Sequence, residues 1–279
     1  MSSEAAPFRG RCGLPTVGRM DNVATMTERL LADAGLRAGM RVLDVGCGRG
    51  DVTFMAASQV GAQGQVVGVD RDSGAIEQAR VRAREQGLSN VTFVEGDLHA
   101  LPKEQGLFDA VVGRRVLMYQ ADAVEAVRGL ARAVKPGGLV VFQEHDSTVG
   151  PVSLKPLPLH AQVREWIWRT VEREGANVHM GFDLASVFTQ AGLTVEQVRA
   201  VAVVQTPTQA HPTGAIVRAM VPRIVKHGVA TEAELDVDTL EQRLTEERVK
   251  AGATYIGELA FGAWARTPRA ATGDLATRI

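Results

Sequence analysis

Residues 42–50 read Val-Leu-Asp-Val-Gly-Cys-Gly-Arg-Gly. The apolar opening has the composition of a strand buried on both faces, and the glycines that follow let the chain turn sharply and approach a ligand with bare backbone. A helix opening directly after such a turn offers its free N–H groups to that ligand. Glycine-rich turns are common, so the flanking sequence has to decide what this one does.

Upstream, Val23, Met26, Leu30 and Leu31 recur at helical spacing within residues 20–34, and Gly35 and Gly39 stop the run. Before it, Gly10, Gly13, Pro15 and Gly18 make residues 1–19 read as a flexible lead-in. Downstream, short apolar runs predict strands over 41–45, 65–70, 91–95, 110–113 and 139–144, separated by helices over 51–60, 73–86 and 122–134. That alternation is the signature of an α/β fold with helices on both faces of a parallel sheet. Past Asp146 a turn with Pro151, Pro156 and Pro158 leads into an aromatic-bearing helix over 160–174. A helix over 182–191, a strand over 193–206, helices between 212 and 252 and an apolar run over 258–265 follow. The chain divides accordingly into a core (20–146), a helical lid insertion (147–181), a resumed core (182–206), a second helical insertion (207–254) and a last strand with its tail (255–279).

Bulk composition narrows the classes. The 279 residues carry 31 Lys+Arg against 32 Asp+Glu, a balance without the basic stripe that nucleic-acid binding needs. Arg80, Arg82 and Arg84 share their helix with Glu77 and Glu85 and read as a solvated face. Two cysteines, Cys12 and Cys47, imply neither a disulfide framework nor a metal site. No run approaches the roughly 18 apolar residues of a membrane span. The expectation is a cytoplasmic protein with a small-molecule substrate, no nucleic-acid or membrane partner, and helical insertions that leave room for a homodimer.

Asp70 ends the second strand twenty residues past Gly50, where nucleoside-binding sheets place an acid for ribose hydroxyls. The plainer role for Asp70 is to cap the next helix. Gly96-Asp97 closes the third strand, and Pro136-Gly137-Gly138 turns into the fifth. A dinucleotide oxidoreductase would show G-x-G-x-x-G, whereas this turn is G-x-G-x-G preceded by an acid, with no Tyr-x-x-x-Lys pair after it.

In order and spacing, VLDVGCGRG (42–50), VVGVDRD (66–72), FVEGDLHALP (93–102), FDAVVGRRVLMY (108–119) and LARAVKPGGLVVFQE (130–144) resemble the class I methyltransferases that use S-adenosylmethionine, and among them a group of bacterial small-molecule methyltransferases. The resemblance implies a Rossmann-like doubly wound sheet of seven strands, mostly parallel, with one antiparallel strand near the C-terminus and helical lid insertions. It implies that Gly46, Cys47 and Gly48 lie against the methionine part of the cofactor with Asp44 near its amino group. Asp70 would hold the ribose, Arg71 flank the adenine, Asp97 and Leu98 contact the adenine, and Gly113 and Arg114 reach the methionine amine or carboxylate. Some proteins of this fold catalyse cyclisation or rearrangement instead of methyl transfer.

Methyl transfer from a sulfonium is an in-line displacement and needs a general base only where the acceptor must lose a proton. The acceptor should lie beyond the carboxyl end of the fifth strand, where Gln143-Glu144-His145-Asp146 concentrates acid and base groups. Glu144 and His145 are therefore candidates for acceptor handling, and His179, before the Gly181 turn, is a third. His160, Trp166, Trp168, Met180, His211, Arg218 and Met220 in the insertions are candidate pocket wall, although Trp166 and Ile167 could simply pack the lid on the sheet. High Ala, Val, Arg and Gly content suits a GC-rich bacterial genome and a role in natural-product tailoring.

Overall fold

The computed structural model describes residues 23–101 and 106–269; the lead-in 1–19, the first residues of the expected first helix, Cys12, Pro102 and the tail from 270 lie outside them. Among the described residues, seven strands form one sheet in the order β3-β2-β1-β4-β5-β7-β6. They are β1 (Arg41–Val45), β2 (Gln65–Asp70), β3 (Val91–Glu95), β4 (Phe108–Arg114), β5 (Val134–Asp146), β6 (Thr194–Gln205) and β7 (Tyr255–Arg266). β3 through β5 run parallel, and β7 is antiparallel to both β5 and β6. The strand order reverses between β1 and β4, which opens a crevice beyond their carboxyl ends.

Successive residues of a strand point to opposite faces, so a sheet covered on both sides buries consecutive apolar residues in different layers. Val42, Val66, Val112 and Val141 pack with Leu30, Ala56 and Val60 of α1 (Val23–Ala34) and α2 (Asp51–Val60). Leu43, Val67, Val111 and Val140 face the opposite layer, with Leu130 of α4 (Ala123–Ala131) and Phe188 of α6 (Met180–Gln190). α3 (Ser73–Glu85) covers β3 through Ile76, Ala79 and Phe93.

The fifth strand departs from its expected bounds. It begins at Val134 rather than 139, and the helix before it ends at Ala131 rather than 134. Val134 pairs with Phe108 while Leu139 pairs with Ala110, so the Pro136-Gly137-Gly138 turn is a bulge inside one long strand, with Gly137 in left-handed conformation at φ 74°. Local punctuation marks the kink; only the neighbouring strand shows that pairing exists on both sides of it.

The two insertions meet. α5 (Pro158–Arg173) lies between β5 and α6 in the chain, and α7 (Thr213–Lys226), α8 (Glu232–Leu235) and α9 (Leu240–Ala251) lie between β6 and β7. Val163, Val217, Leu240 and Leu244 of these helices belong to the same apolar layer as α4 and α6. A buried polar chain pins them together. His160 Nδ1 lies 2.6 Å from Glu247 Oε2, and its Nε2 lies 2.9 Å from Arg248 Nη1, which also donates to Gln205 Oε1 at 3.1 Å. Arg248 can only donate, so His160 is neutral with its proton on Nδ1, in keeping with burial lowering its pKa. No helix among the described residues is long and apolar enough to cross a membrane.

Arg248→Ala would strip donors from two buried acceptors, His160 Nε2 and Gln205 Oε1. It is expected to destabilise the chain by about 3 kcal/mol or more in urea unfolding, with no loss of the sheet.

Candidate active site

The turn after β1 is built as its glycines require. Gly46 and Gly48 have φ of 61° and 53°, and a Cβ on Gly46 would stand 2.7 Å from the Val116 side chain, whereas one on Gly48 would meet open space. Asp70 straps this turn to the end of β2. One carboxylate oxygen accepts the Gly48 N–H at 2.8 Å and the other accepts the Asp72 N–H at 2.9 Å. The cap of α3 is Asp72, which accepts from Gly74 and Ala75, and not Asp70. The Cys47 thiol is buried, and its pKa is pushed up mainly by that burial.

Beneath the turn lies Asp44, 1% exposed. Its Oδ2 accepts from Thr53 Oγ1 at 2.6 Å, and its Oδ1 has no partner. Burial raises its pKa to about 7, with the Thr53 hydrogen bond and Arg114 pulling the other way. Gly46, Asp70, Arg71, Asp97 and Leu98 border a single open cleft with about 1000 Å³ of empty space. Gly113 and Arg114 are not on its rim. A Cβ on Gly113 would stand 2.5 Å from the Phe142 ring, and the Arg114 guanidinium turns toward Asp51 Oδ2 at 3.6 Å and Thr27 Oγ1 at 3.3 Å. Arg115 reaches the cleft instead, with its backbone held at φ 56°. Nothing in the residue pattern marks a non-glycine in that conformation.

A second cavity, about 870 Å³ of empty space open to solvent, lies between the lid helices and the carboxyl end of β5. Val163, Ile167, Trp168, Met220 and Leu244 supply its apolar wall. His145, His211, Glu258 and Arg115 supply polar groups. His145 Nδ1 lies 3.0 Å from Glu258 Oε1. Burial acts to raise the Glu258 pKa, but His145, His211 and Arg115 more than offset it and hold the carboxyl at about 2. Arg115 and Tyr119 border both cavities, so they form the common wall.

The three candidates for acceptor handling separate. His145 borders the second cavity. Glu144 does not; it is fully buried, and its Oε1 accepts the N–H groups of Val116 and Leu117 at 2.9 and 2.8 Å. His179 sits exposed before α6, its Nδ1 2.8 Å from Thr148 Oγ1, and borders neither cavity. Of the candidate wall residues His160, Trp168, His211 and Met220 border the cavity, while Trp166 and Met180 pack in the core and Arg218 pairs with Asp238 at 2.9 Å. Glu258, Arg115 and Tyr119 were not singled out from the sequence. For Glu258 the signal existed: it is the one acid in the apolar run 258–265.

A family model described as a methyltransferase domain matches residues 36–196, from before β1 to the start of β6. The chain belongs to this methyltransferase domain family. The fold is that of the class I members, to which solved structures add support. A SAM-dependent methyltransferase from Aquifex aeolicus matches with TM-score 0.52 at 18% identity, over 86% of this chain and 88% of that one. The [4+2]-cyclase SpnF matches with TM-score 0.56 at 21% identity, over 88% and 81%. Among curated relatives, the demethylmenaquinone methyltransferase of Lactococcus lactis subsp. lactis (strain IL1403) is 34% identical over 133 residues, 48% of this chain and 50% of that protein. Aklanonic acid methyltransferase DauC of Streptomyces sp. (strain C5) is 39% identical over 117 residues, 42% of this chain and 53% of that protein. The aligned part thus spans about half the length of these relatives.

Two of the buried carboxyls, Asp44 and Glu144, are raised by burial to about 7 from ordinary values of 3.8 and 4.5. The native state then holds more protons than the unfolded chain between those limits. The stability this confers is fully present below about pH 4 and is lost as pH rises through about 7. Denaturant midpoints are expected to fall between pH 5 and 8, less steeply in Glu144→Gln. Glu144→Leu, which leaves two buried N–H groups without an acceptor, is expected to cost about 2–5 kcal/mol at either pH.

Proposed function

We propose that the chain is an S-adenosylmethionine-dependent methyltransferase acting on a small, largely apolar molecule, in bacterial natural-product metabolism. The observation that carries this reading is the shared wall. The cleft over the glycine turn and the cavity under the lid meet at Arg115 and Tyr119, so occupants of the two would face each other there.

The residues present fit the cofactor. The unpartnered, buried Asp44 Oδ1 is an acceptor for the amino group of its methionine part, directly or through water, and the open side of Gly48 leaves room for close backbone approach. Asp70 and Asp97 would meet the ribose and the adenine, and Arg71 and Leu98 would flank the ring. When bound, the cofactor supplies an electrophilic methyl group on a sulfonium. The chain's own part is positional. The α5, α7 and α9 helices wall the acceptor cavity and would shield the acceptor from water on that side, and their apolar wall favours a hydrocarbon skeleton over a charged polymer. That DauC, by its name, methylates aklanonic acid supports a natural-product acceptor here.

Incubation of a producing extract with methyl-labelled cofactor, read by mass spectrometry, is the direct test; a product changed in structure but free of label would replace transfer by cyclisation or rearrangement. Binding gives a second measure. A cationic amine beside Asp44 would favour its ionised form, so S-adenosylhomocysteine is expected to bind with release of a proton near pH 7. Calorimetry in buffers of different ionisation enthalpy would detect that release. Asp44→Asn is expected to abolish it and to weaken binding about tenfold or more.

A further inference from the structure

We propose that His145, held by Glu258, is the base that takes a proton from the acceptor, and that the acceptor therefore presents an acidic hydroxyl, a phenol or enol, on an apolar skeleton. The proposal rests on the methyl-transfer reading above and names the chemistry of its acceptor.

The geometry is that of an oriented imidazole. His145 lies at the end of β5 and Glu258 on β7, and the antiparallel pairing of these strands brings their side chains to one 3.0 Å contact. In its neutral form, a ring whose Nδ1 meets a carboxylate carries its one proton there, so Nε2 keeps a free lone pair. Among the described residues, that nitrogen is the one buried, unpartnered side-chain atom on a residue that borders this cavity. It is buried and has no hydrogen-bond partner, on a residue that is 5% exposed and borders the acceptor cavity. Leaving a buried polar atom unpaired is unfavourable, and a proton-bearing substrate group would supply the missing partner.

The surrounding charges select the acid. Arg115 from the loop after β4, Arg164 of α5, His211 before α7 and Glu241 of α9 act electrostatically on this dyad or its neighbours, together with Tyr255 and Asp146. Arg115 favours an oxyanion forming in the cavity and disfavours a protonated amine entering it, while Glu258 stabilises the imidazolium on the other side. The O–H bond breaks with its electron pair left on oxygen, and the proton passes to Nε2 while the Nδ1 proton stays toward Glu258. The freed pair, at that oxygen or at a carbon conjugated to it, becomes the new bond to the methyl carbon, whose old bonding pair departs with sulfur. The proton on Nε2 leaves to water with the product. His145 is thus the catalytic residue and Glu258 a positioning residue.

The test uses the full chain saturated with S-adenosylhomocysteine and 4-nitrophenol as the probe, whose absorbance separates phenol from phenolate without any turnover. In the wild type the bound probe is expected to be ionised about tenfold more than free probe at pH 6. His145→Gln should return the ratio to that of free probe, and Glu258→Gln should lose most of the gain with the probe still bound. The proposal is overturned if the wild type binds no probe, if bound probe ionises no more than free probe, or if His145→Gln ionises it equally well. Calorimetry on the same sample separates the two levels: binding of S-adenosylhomocysteine without probe ionisation defeats the dyad alone, and absence of that binding defeats the methyltransferase reading with it. Should either variant fail to fold, nitrogen NMR of the wild-type histidine rings decides. A bare Nε2 and protonated Nδ1 on His145 at pH 8 is expected; a protonated Nε2 overturns the assignment.

Discussion

The two hydrogen bonds that Glu144 accepts from Val116 and Leu117 organise everything around them. They hold the chain where it leaves β4 and turns through Leu117–Tyr119, and that turn supplies Arg115 and Tyr119 to both cavities. A carboxylate is among the few side chains able to receive two adjacent N–H groups from a distant strand. It must be buried to do so, and burial is what raises its pKa. Acidic residues at the end of β5 therefore divide their labour. Glu144 and Asp146 hold backbone, the latter accepting from Thr148 and Phe182, while His145 between them faces the cavity.

Burying ionisable groups is costly, and this chain meets the cost in three ways. Glu258 is kept ionised by His145, His211 and Arg115. His160 is kept neutral inside a chain of donors and acceptors that bolts α5 to α9. Asp44 is left half-satisfied under the glycine turn. The first and third leave an unpaired atom, His145 Nε2 and Asp44 Oδ1, and both belong to the site; the second leaves none on His160 and belongs to the lid.

Legibility followed how local the cause was. The bounds of β1, β2, β3 and α2 could be read directly, because apolar periodicity and glycine punctuation coincide at their ends. Gly46, Asp70, Arg71, Asp97 and Leu98 could be placed at one cleft because strand-end positions in a doubly wound sheet converge by topology. Arg114 and Arg115 are adjacent and chemically identical, yet point to different places; the left-handed backbone at Arg115 separates them and leaves no mark in the residue pattern. Glu144 and His145 are likewise adjacent, and strand alternation sends one beneath the loop and the other to the cavity.

By itself the sequence determined the α/β fold, the order of its elements, the glycine turn and the acids around it, since each depends on spacing within a few dozen residues. Tertiary structure alone decided that two insertions, separated by a helix and a strand, form one lid, and that residues 145 and 258 meet. Those contacts depend on β7 running antiparallel between β5 and β6, a pairing set by the whole sheet and by no local run of residues.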